Sequence, residues 1–132
     1  MGSAIATAFD TTNGRPALVL DQPWESSDSP AGRDSASAVA SGFAAALGIP
    51  VTEGDEVDSP RCPWAPPPGD MPLGLWALFS PPEATGDSIQ IHLASGCVTD
   101  AEGAFEQLHV FLLLRARDSG WRVVAQRLLR IT

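Results

Sequence analysis

The chain has 132 residues, a formal net charge of −8 and a hydrophobic fraction of 44%. A chain of this size forms one domain whose core needs neither a metal nor a partner. Its basic residues are eight arginines against sixteen acids, opposite to the basic surface that binds nucleic acid. The apolar runs, such as 110–114, are far shorter than the ~18 residues of a membrane span. We therefore expect a single domain over residues 1–132, with no nucleic-acid partner and no membrane span.

The first 30 residues are rich in Ser, Thr, Asp and Pro and predict a loosely ordered segment. The apolar run 17–20 predicts one short strand. An Asn-Gly dipeptide at 13–14 favours a hairpin turn that pairs this strand with residues 5–9. The chain starts without the basic and apolar regions of a secretory signal peptide.

Residues 34–48 carry the clearest helical pattern in the chain. A side-chain oxygen of Asp34 or Ser35 can cap the first turn, and Gly48 before Pro50 suits a left-handed C-terminal cap. The apolar positions that recur along one helical face are Val39, Phe43, Ala46 and Leu47. We therefore predict one amphipathic helix that ends at Gly48.

A Pro-rich loop is predicted at residues 59–72, which contain six prolines and Trp64. Proline cannot donate to a strand ladder, so this segment runs extended over the surface. Four acids precede it, at Glu53, Asp55, Glu56 and Asp58. They lack the ligand spacing of a calcium loop, and we interpret them as a solvated surface. No metal and no cofactor is predicted.

Residues 73–131 predict a four-stranded antiparallel meander. The candidate strands are 73–80, 88–94, 105–117 and 121–131. Within the second strand, Ile89, Ile91 and Leu93 alternate with polar residues and define the side that faces the core. With the helix, this gives an α+β fold in which one helix packs on a curled four-stranded sheet.

The last hairpin has a predicted register that sets apolar residues opposite one another on the inner face, pairing Leu112 with Ala125, Leu114 with Val123 and Leu108 with Leu129. The outer face then mixes apolar and arginine side chains, which is typical of an interface. The candidate binding residues are Phe111, Leu113, Arg115, Arg122, Val124 and Leu128. Either a protein partner or second copy covers them, or the chain's own residues 1–30 or 59–72 do.

A family resemblance is carried by the helix and by the hairpin Phe111-Leu-Leu-Leu-Arg115 followed by Gly120-Trp121-Arg122-Val123-Val124. The pattern resembles the C-terminal half of NTF2-like domains and, more loosely, the cystatin-like roll, over residues 73–132 and the helix. It implies an α+β roll, and in the enzymes of that family a pocket between helix and sheet. Such a pocket would be lined here by Trp76, His92 and His109. The inhibitory Gln-x-Val-x-Gly hairpin of cystatins is absent.

His92 and His109 are the candidates for acid-base chemistry, since histidine is the side chain that titrates near neutral pH. Strand parity places both on the outer face, where two half-exposed histidines with ordinary hydrogen bonds are the alternative interpretation. Cys62 and Cys97 are 35 positions apart and predict one structural disulfide, or two inert buried thiols if the compartment is reducing. The disulfide favours a location outside the cytoplasm.

These observations favour a small binding or interaction module that uses the outer face of its sheet, with a protein partner or a homodimer. The alternative is a small NTF2-like enzyme or ligand-binding protein with a pocket for a small molecule. An accessory domain of a longer chain is a third interpretation. An exposed apolar patch supports the first, and a concave site with a titratable group of shifted pKa supports the second.

Overall fold

The computed structural model has two helices, a five-stranded antiparallel sheet and a two-stranded parallel sheet. It describes residues 1–13, 19–20, 30–48, 51–52, 62, 75–98, 104–115 and 120–131. The elements in chain order are α1 (Gly2–Asn13), β1 (Val19–Leu20), α2 (Pro30–Leu47), β2 (Val51–Thr52), β3 (Trp76–Phe79), β4 (Glu83–Thr85), β5 (Ser88–Val98), β6 (Ala104–Arg115) and β7 (Trp121–Ile131). The α+β class predicted from the sequence is confirmed.

The larger sheet has the strand order β3-β5-β6-β7, and every neighbouring pair is antiparallel. β4 also pairs with β5, beyond the end of β3, so two short strands share one side of a long one. The break lies at Pro81 and Pro82, which lack the N–H that a continuous ladder needs. Ser80 holds the break in place: its N–H donates to the carbonyl of His92 at 2.9 Å, and its hydroxyl accepts the His92 N–H at 2.8 Å.

The N-terminal segment is a helix, which corrects the loose tail and hairpin predicted there. Ile5 and Phe9 are fully buried on one side of α1. Their spacing fits one helical face as well as one face of a strand, and the alanines at 4, 6 and 8 favour the helix. Of the predicted first strand, residues 19–20 form β1, which pairs in parallel with β2.

The second helix begins at Pro30, four residues before the predicted start. Proline suits the first turn because its missing N–H has no helical partner there. Asp34 and Ser35 are therefore exposed helical residues and not caps. The predicted end is confirmed, since Gly48 follows the helix with a φ of 72°.

The helical face of α2 that enters the core differs in part from the predicted one. Val39 and Phe43 are buried as expected and Leu47 is half-buried, but Ala46 is exposed. The buried side is completed by small residues spaced four apart, Ala36, Ala40 and Ala44. Small side chains there allow α2 to lie close to its neighbours.

The two helices meet where Gly2 of α1 faces α2. A Cβ built on Gly2 would overlap the carbonyl oxygen of Val39 and the backbone nitrogen of Phe43. Across this contact Phe9 meets Phe43 edge to face, with ring centroids 5.7 Å apart, and Phe43 meets Phe79 of β3 at 5.0 Å. The core thus lies between the helix pair and one face of the sheet.

The face of the sheet toward the helices is opposite to the predicted one in β6. Ile91 and Leu93 of β5 are buried, as predicted, and they lie opposite Phe111 and His109. Paired residues in neighbouring strands point to the same side. Phe111 and Leu113 therefore belong to the core, where both are fully buried.

The register of the last hairpin agrees with the prediction only in its middle. Leu112 lies opposite Ala125 as expected, but Leu114 faces Arg122 and Leu108 faces Arg130. The register shifts twice, because β7 has an extra residue at each of two β-bulges. These extra residues are Val124 and Leu129, which the pairing leaves without an opposite residue in β6.

The predicted disulfide is present between Cys62 and Cys97, whose Cα atoms are 4.9 Å apart. Both cysteines are fully buried, and the Cys62 N–H donates to the carbonyl of Val98 at 3.0 Å. The remainder of the predicted Pro-rich loop, residues 59–72, lies outside the described residues. Within the described part of the chain, neither helix is long and apolar enough to cross a membrane.

Candidate functional site

The outer face of the sheet points away from both helices and carries an apolar stripe across three strands. Its members, called the outer stripe below, are Trp76, Leu78, Ala94, Leu108, Val110, Leu112 and Leu114, all half-buried. Leu78 lies opposite Ala94, which in turn lies opposite Leu108, so the stripe is continuous from β3 to β6. No member of the outer stripe belongs to the core cluster on the helix side.

Charged side chains lie around the outer stripe. Glu106 is exposed near the beginning of β6. Arg122 lies opposite Leu114 near the end of β6, and Arg127 lies opposite Val110 in its middle. Both arginines are exposed. The outer face therefore has an apolar centre with arginines along its β7 edge and Glu106 near the beginning of β6.

The predicted binding residues are divided between the core and the surface. The prediction that Phe111 and Leu113 contact a partner is wrong, because both are fully buried beneath the helices. Arg122 lies on the outer face, where it was expected. Arg115 is exposed, and its guanidinium carbon lies 5.9 Å from the ring centroid of Trp121. This arginine therefore contacts an aromatic ring at the start of β7 and not the outer stripe.

The edge strand β7 holds the other two predicted residues, Val124 and Leu128, which are 41% and 44% exposed. The large apolar side chains that are exposed among the described residues are Val124, Leu128, Leu129 and Ile131, all on β7. The pairing pattern explains two of them, because Val124 and Leu129 are the bulged residues. The bulges were missed in the sequence because they depend on how β7 pairs with β6 and carry no residue pattern of their own.

A shallow groove of about 350 Å³ runs between α1 and the first residues of β7. Its lining is largely apolar with one cation, and consists of Ala4, Thr7, Ala8, Trp121, Arg122 and Val123. Trp121 and Val123 lie on the helix side of β7, opposite Arg115 and Leu113, while Arg122 belongs to the outer side. The groove is therefore an open slot under α1 at the edge of the sheet.

His109 lies on the helix side of β6 and is only 2% exposed, which corrects its predicted place on the outer face. Its ring stacks on Phe111 with centroids 6.1 Å apart and meets Phe9 edge-on at 6.1 Å. Nε2 lies 3.0 Å from the side-chain oxygen of Gln107 and donates to it, which leaves the lone pair on Nδ1. Burial lowers the pKa of His109 below its usual 6.5, because an apolar environment disfavours the charged ring.

Ser95 brings a second polar group to the same buried region. It lies on β5 directly opposite Gln107, and its side chain is 1% exposed. Neither Ser95 Oγ nor His109 Nδ1 has a hydrogen-bond partner within the described parts of the chain. Ser95 and Gln107 were missed as candidates because a lone Ser or Gln in a strand carries no signal of its own.

The predicted pocket of Trp76, His92 and His109 is divided by the sheet. Trp76 lies opposite Gly96 and His92 opposite Val110, so both point to the outer face while His109 points to the core. The two histidines therefore do not form one acid-base pair. A metal-binding group of three or more His, Cys, Asp or Glu side chains is not found in the described ranges. The acids at 53–58 lie outside them.

Comparison with known proteins gives no relative. No family model, no curated protein and no solved structure matches the chain.

Proposed function

We propose that this chain is a small interaction module whose outer sheet face binds a second copy of the chain. The observation that carries the proposal is the outer stripe, seven half-buried apolar side chains without a helix over them among the described residues. Continuous apolar surface of this kind is costly to leave in water and marks protein contact sites. Its centre is aliphatic and its rim is charged, as in ordinary protein interfaces.

The size of the face supports a stable contact. The outer face spans β3, β5, β6 and β7, which are 4, 11, 12 and 11 residues long. With strands about 4.8 Å apart and a rise of about 3.3 Å per residue, they present roughly 600 Å² in projection. A standard interface buries about 800 Å² of accessible surface on each partner, and side chains standing on the sheet exceed the flat projection. The area buried when one such face packs on another therefore reaches the usual range for a specific dimer.

Glu106 near the beginning of β6 and Arg122 beside its end favour a second copy of the chain as the occupant. Two sheets packed face to face with antiparallel β6 strands bring Glu106 of one copy toward the Leu114 end of the other. Arg122 lies beside Leu114 on the outer face, so each copy offers a guanidinium to the other copy's carboxylate. Such reciprocal contacts are what a two-fold interface requires.

The test is the oligomeric state of wild-type protein and a Leu112→Asp variant, measured by sedimentation equilibrium from low to high micromolar concentration. We expect a wild-type dimer and a monomeric variant with an unchanged circular dichroism spectrum. The matched control is Ala84→Asp, which adds the same charge at an exposed position on β4. A wild-type monomer, or a Leu112→Asp variant that still dimerises, would overturn the proposal.

A charge exchange tests the orientation of the dimer. Glu106→Arg alone sets like charges together and weakens the dimer, whereas the double variant Glu106→Arg with Arg122→Glu restores it. If both variants dimerise as the wild type does, the two ends of the face do not meet across the interface.

We also propose that the module acts outside the cytoplasm. The support is the buried disulfide between Cys62 and Cys97, since disulfides persist in oxidising compartments. Thiol titration of protein isolated from its native source, with rapid alkylation during lysis, tests this directly. Two alkylated cysteines would contradict it.

A second candidate function is a small-molecule site between helices and sheet, as in the NTF2-like enzymes that the sequence resembles. The observation in its favour is the pair of buried polar atoms, Ser95 Oγ and His109 Nδ1, on neighbouring strands. A ligand hydroxyl between them can donate to His109 Nδ1 and accept from the Ser95 hydroxyl. The described protein groups supply neither of these hydrogen bonds. Native mass spectrometry tests it, because a retained adduct should disappear in a Ser95→Ala, His109→Leu variant.

A further inference from the structure

We propose that the edge of β7, together with the groove under α1, binds an extended acidic peptide as an additional antiparallel strand. The site lies at the edge of the sheet beside the outer stripe, and it shares Arg122 with the proposed dimer contact. It takes a peptide segment in which apolar and acidic residues alternate.

The first observation is the position of β7 at the end of the sheet. In the described ranges β7 pairs with β6 on one side and with no strand on the other. An 11-residue strand at an edge offers backbone N–H and C=O groups that another strand can pair with. Natural edge strands are commonly protected by charged side chains, proline or β-bulges. β7 contains no proline, and its arginines and two bulges leave short regular stretches between them.

The second observation is that the two sides of β7 differ. On the helix side, Trp121, Val123 and Leu128 lie opposite Arg115, Leu113 and His109, with Gln126 opposite Phe111 between them. On the outer side, Arg122 and Arg127 lie opposite Leu114 and Val110, with Ala125 between them. A strand added alongside β7 continues these two sides, one mainly apolar and one that carries the cations.

The groove under α1 supplies room for the apolar side chains of such a strand. Ala4 and Ala8 of α1 form its roof and Trp121 and Val123 form its floor, in a space of about 350 Å³. A peptide side chain of valine size that points to the helix side enters this groove. The next residue of the peptide points to the outer side, within reach of Arg122.

The charge of β7 selects the occupant. The strand carries Arg122, Arg127 and Arg130 and has no acid, in a chain whose net charge is −8. Pairing of β7 with the β7 of a second copy sets arginine near arginine, which disfavours that dimer. An acidic peptide pairs its carboxylates with these guanidinium groups instead.

The two bulges define where the added strand lies. Regular pairing positions occur at 121–123 and at 125–128, on either side of Val124. Val124 and Leu129 are turned outward at the bulges and are 41% and 43% exposed. The added strand is therefore short, about six to eight residues, and its best contacts are at the groove end.

The experiment uses a fluorescein-labelled decapeptide of alternating valine and glutamate, with the intact oxidised protein and fluorescence anisotropy as the readout. We expect it to bind at least about tenfold more tightly than the same peptide with lysine for glutamate, because its carboxylates meet guanidinium groups where lysine would meet a like charge. Raising the salt concentration should reduce the difference. Equal affinity for the two peptides, or no binding of either, would overturn the proposal.

Two further arms identify the mode of binding. The Arg122→Glu, Arg127→Glu variant should reverse the preference toward the lysine peptide. Two further peptides are compared, one N-methylated at the valines and one at the glutamates, and each lacks N–H donors along one edge. The peptide that is methylated on the edge facing β7 should lose binding, and the other should keep it. If both methylated peptides bind as well as the unmodified one, the contact is made by side chains alone and strand addition is wrong.

The Leu112→Asp variant separates this inference from the proposed dimer. Because Leu112 lies opposite Ala125 of β7, Leu78→Asp on β3 is used beside it: this variant changes the outer stripe with β5 and β6 between it and β7, so peptide binding should persist in the monomer. If instead Leu112→Asp still dimerises and Leu128→Glu is monomeric, β7 is occupied by a second copy, and the peptide proposal fails together with the face dimer.

Discussion

Gly96 lies directly opposite Trp76, and the indole of Trp76 covers the place where a side chain would stand on Gly96. A Cβ at this position would come within 2.6 Å of both the indole Cζ2 and the carbonyl oxygen of Phe105. The indole is one end of the outer stripe, and the carbonyl belongs to the β5·β6 ladder. Glycine at 96 therefore allows a tryptophan to lie flat on the sheet at the edge of the proposed interface.

Replacing Gly96 with alanine is expected to lower the free energy of unfolding by about 1–3 kcal/mol, the usual cost of adding a methyl group to a packed site. The indole can rotate away, but the carbonyl of Phe105 is part of the backbone and cannot. Urea unfolding of the oxidised protein measures the effect. Gly120→Ala is the control, because a Cβ at Gly120 meets nothing within 4 Å. Equal stability of the two variants would contradict the close contact.

Phe111 and Leu112 are neighbours in β6 but lie on opposite sides of the sheet. We expect Phe111→Ala to cost about 3–5 kcal/mol of stability, since it leaves a cavity beneath the helices. Leu112→Ala removes a half-buried side chain and should cost clearly less, while weakening the dimer. Chemical denaturation and sedimentation of both variants test this. A larger loss of stability in Leu112→Ala would mean that the assignment of faces is reversed.

The disulfide between Cys62 and Cys97 ties a residue otherwise distant in sequence to the end of β5. A cross-link between residues 35 positions apart reduces the entropy of the unfolded chain. The double variant Cys62→Ala, Cys97→Ala should therefore have a free energy of unfolding lower by about 2–4 kcal/mol. Thermal unfolding with and without reductant measures the same quantity. The control is that reductant leaves the unfolding of the double variant unchanged. An unchanged melting temperature on reduction of the wild type would contradict a stabilising role.

The pH dependence of stability is set in part by His109. Burial lowers the pKa of His109 in the folded state, so between that pKa and 6.5 the unfolded chain binds more protons than the folded one. This contribution to stability is complete above pH 6.5 and is lost as pH falls through the folded pKa. One proton gives a slope of no more than ~1.4 kcal/mol per pH unit.

The measurement is the free energy of unfolding from pH 7.5 downward for wild type and His109→Leu. The His109→Leu profile should be flatter below pH 6.5. The Met1 amino group, whose pKa burial also lowers from 8.0, is present in both proteins and contributes alike to both profiles. A His109→Leu profile that follows the wild type would show that another group titrates in this range.

Several elements follow from local sequence alone. The end of α2 at Gly48, the inward side of β5 and the approximate limits of the last two strands were predicted from capping residues and alternation. These signals are local: a glycine that adopts a φ of 72° ends a helix in any fold, and alternation in 88–94 is explicit in the residue types. The pairing of two cysteines also followed from their number.

Other features depend on contacts between distant segments. The spacing of Ile5 and Phe9 fits a helix and a strand equally well, and packing of Phe9 against Phe43 accompanies the helix. β6 is apolar on both sides, so its own sequence does not say which side is inner. The pairing of Ile91 with Phe111 decides it, because the neighbouring strand is apolar on one side only.

The candidate sites were decided in the same way. The sequence determined the class of surface, a sheet rich in aliphatic residues and arginine with a disulfide and an α+β core. Tertiary structure decided which residues share that surface. Successive side chains of a strand point to opposite faces of the sheet, so turning the strand over moves every side chain to the other face. Tertiary structure also placed the bulges at Val124 and Leu129 and buried His109 beside Ser95, since twist and strand pairing act between segments far apart in the chain.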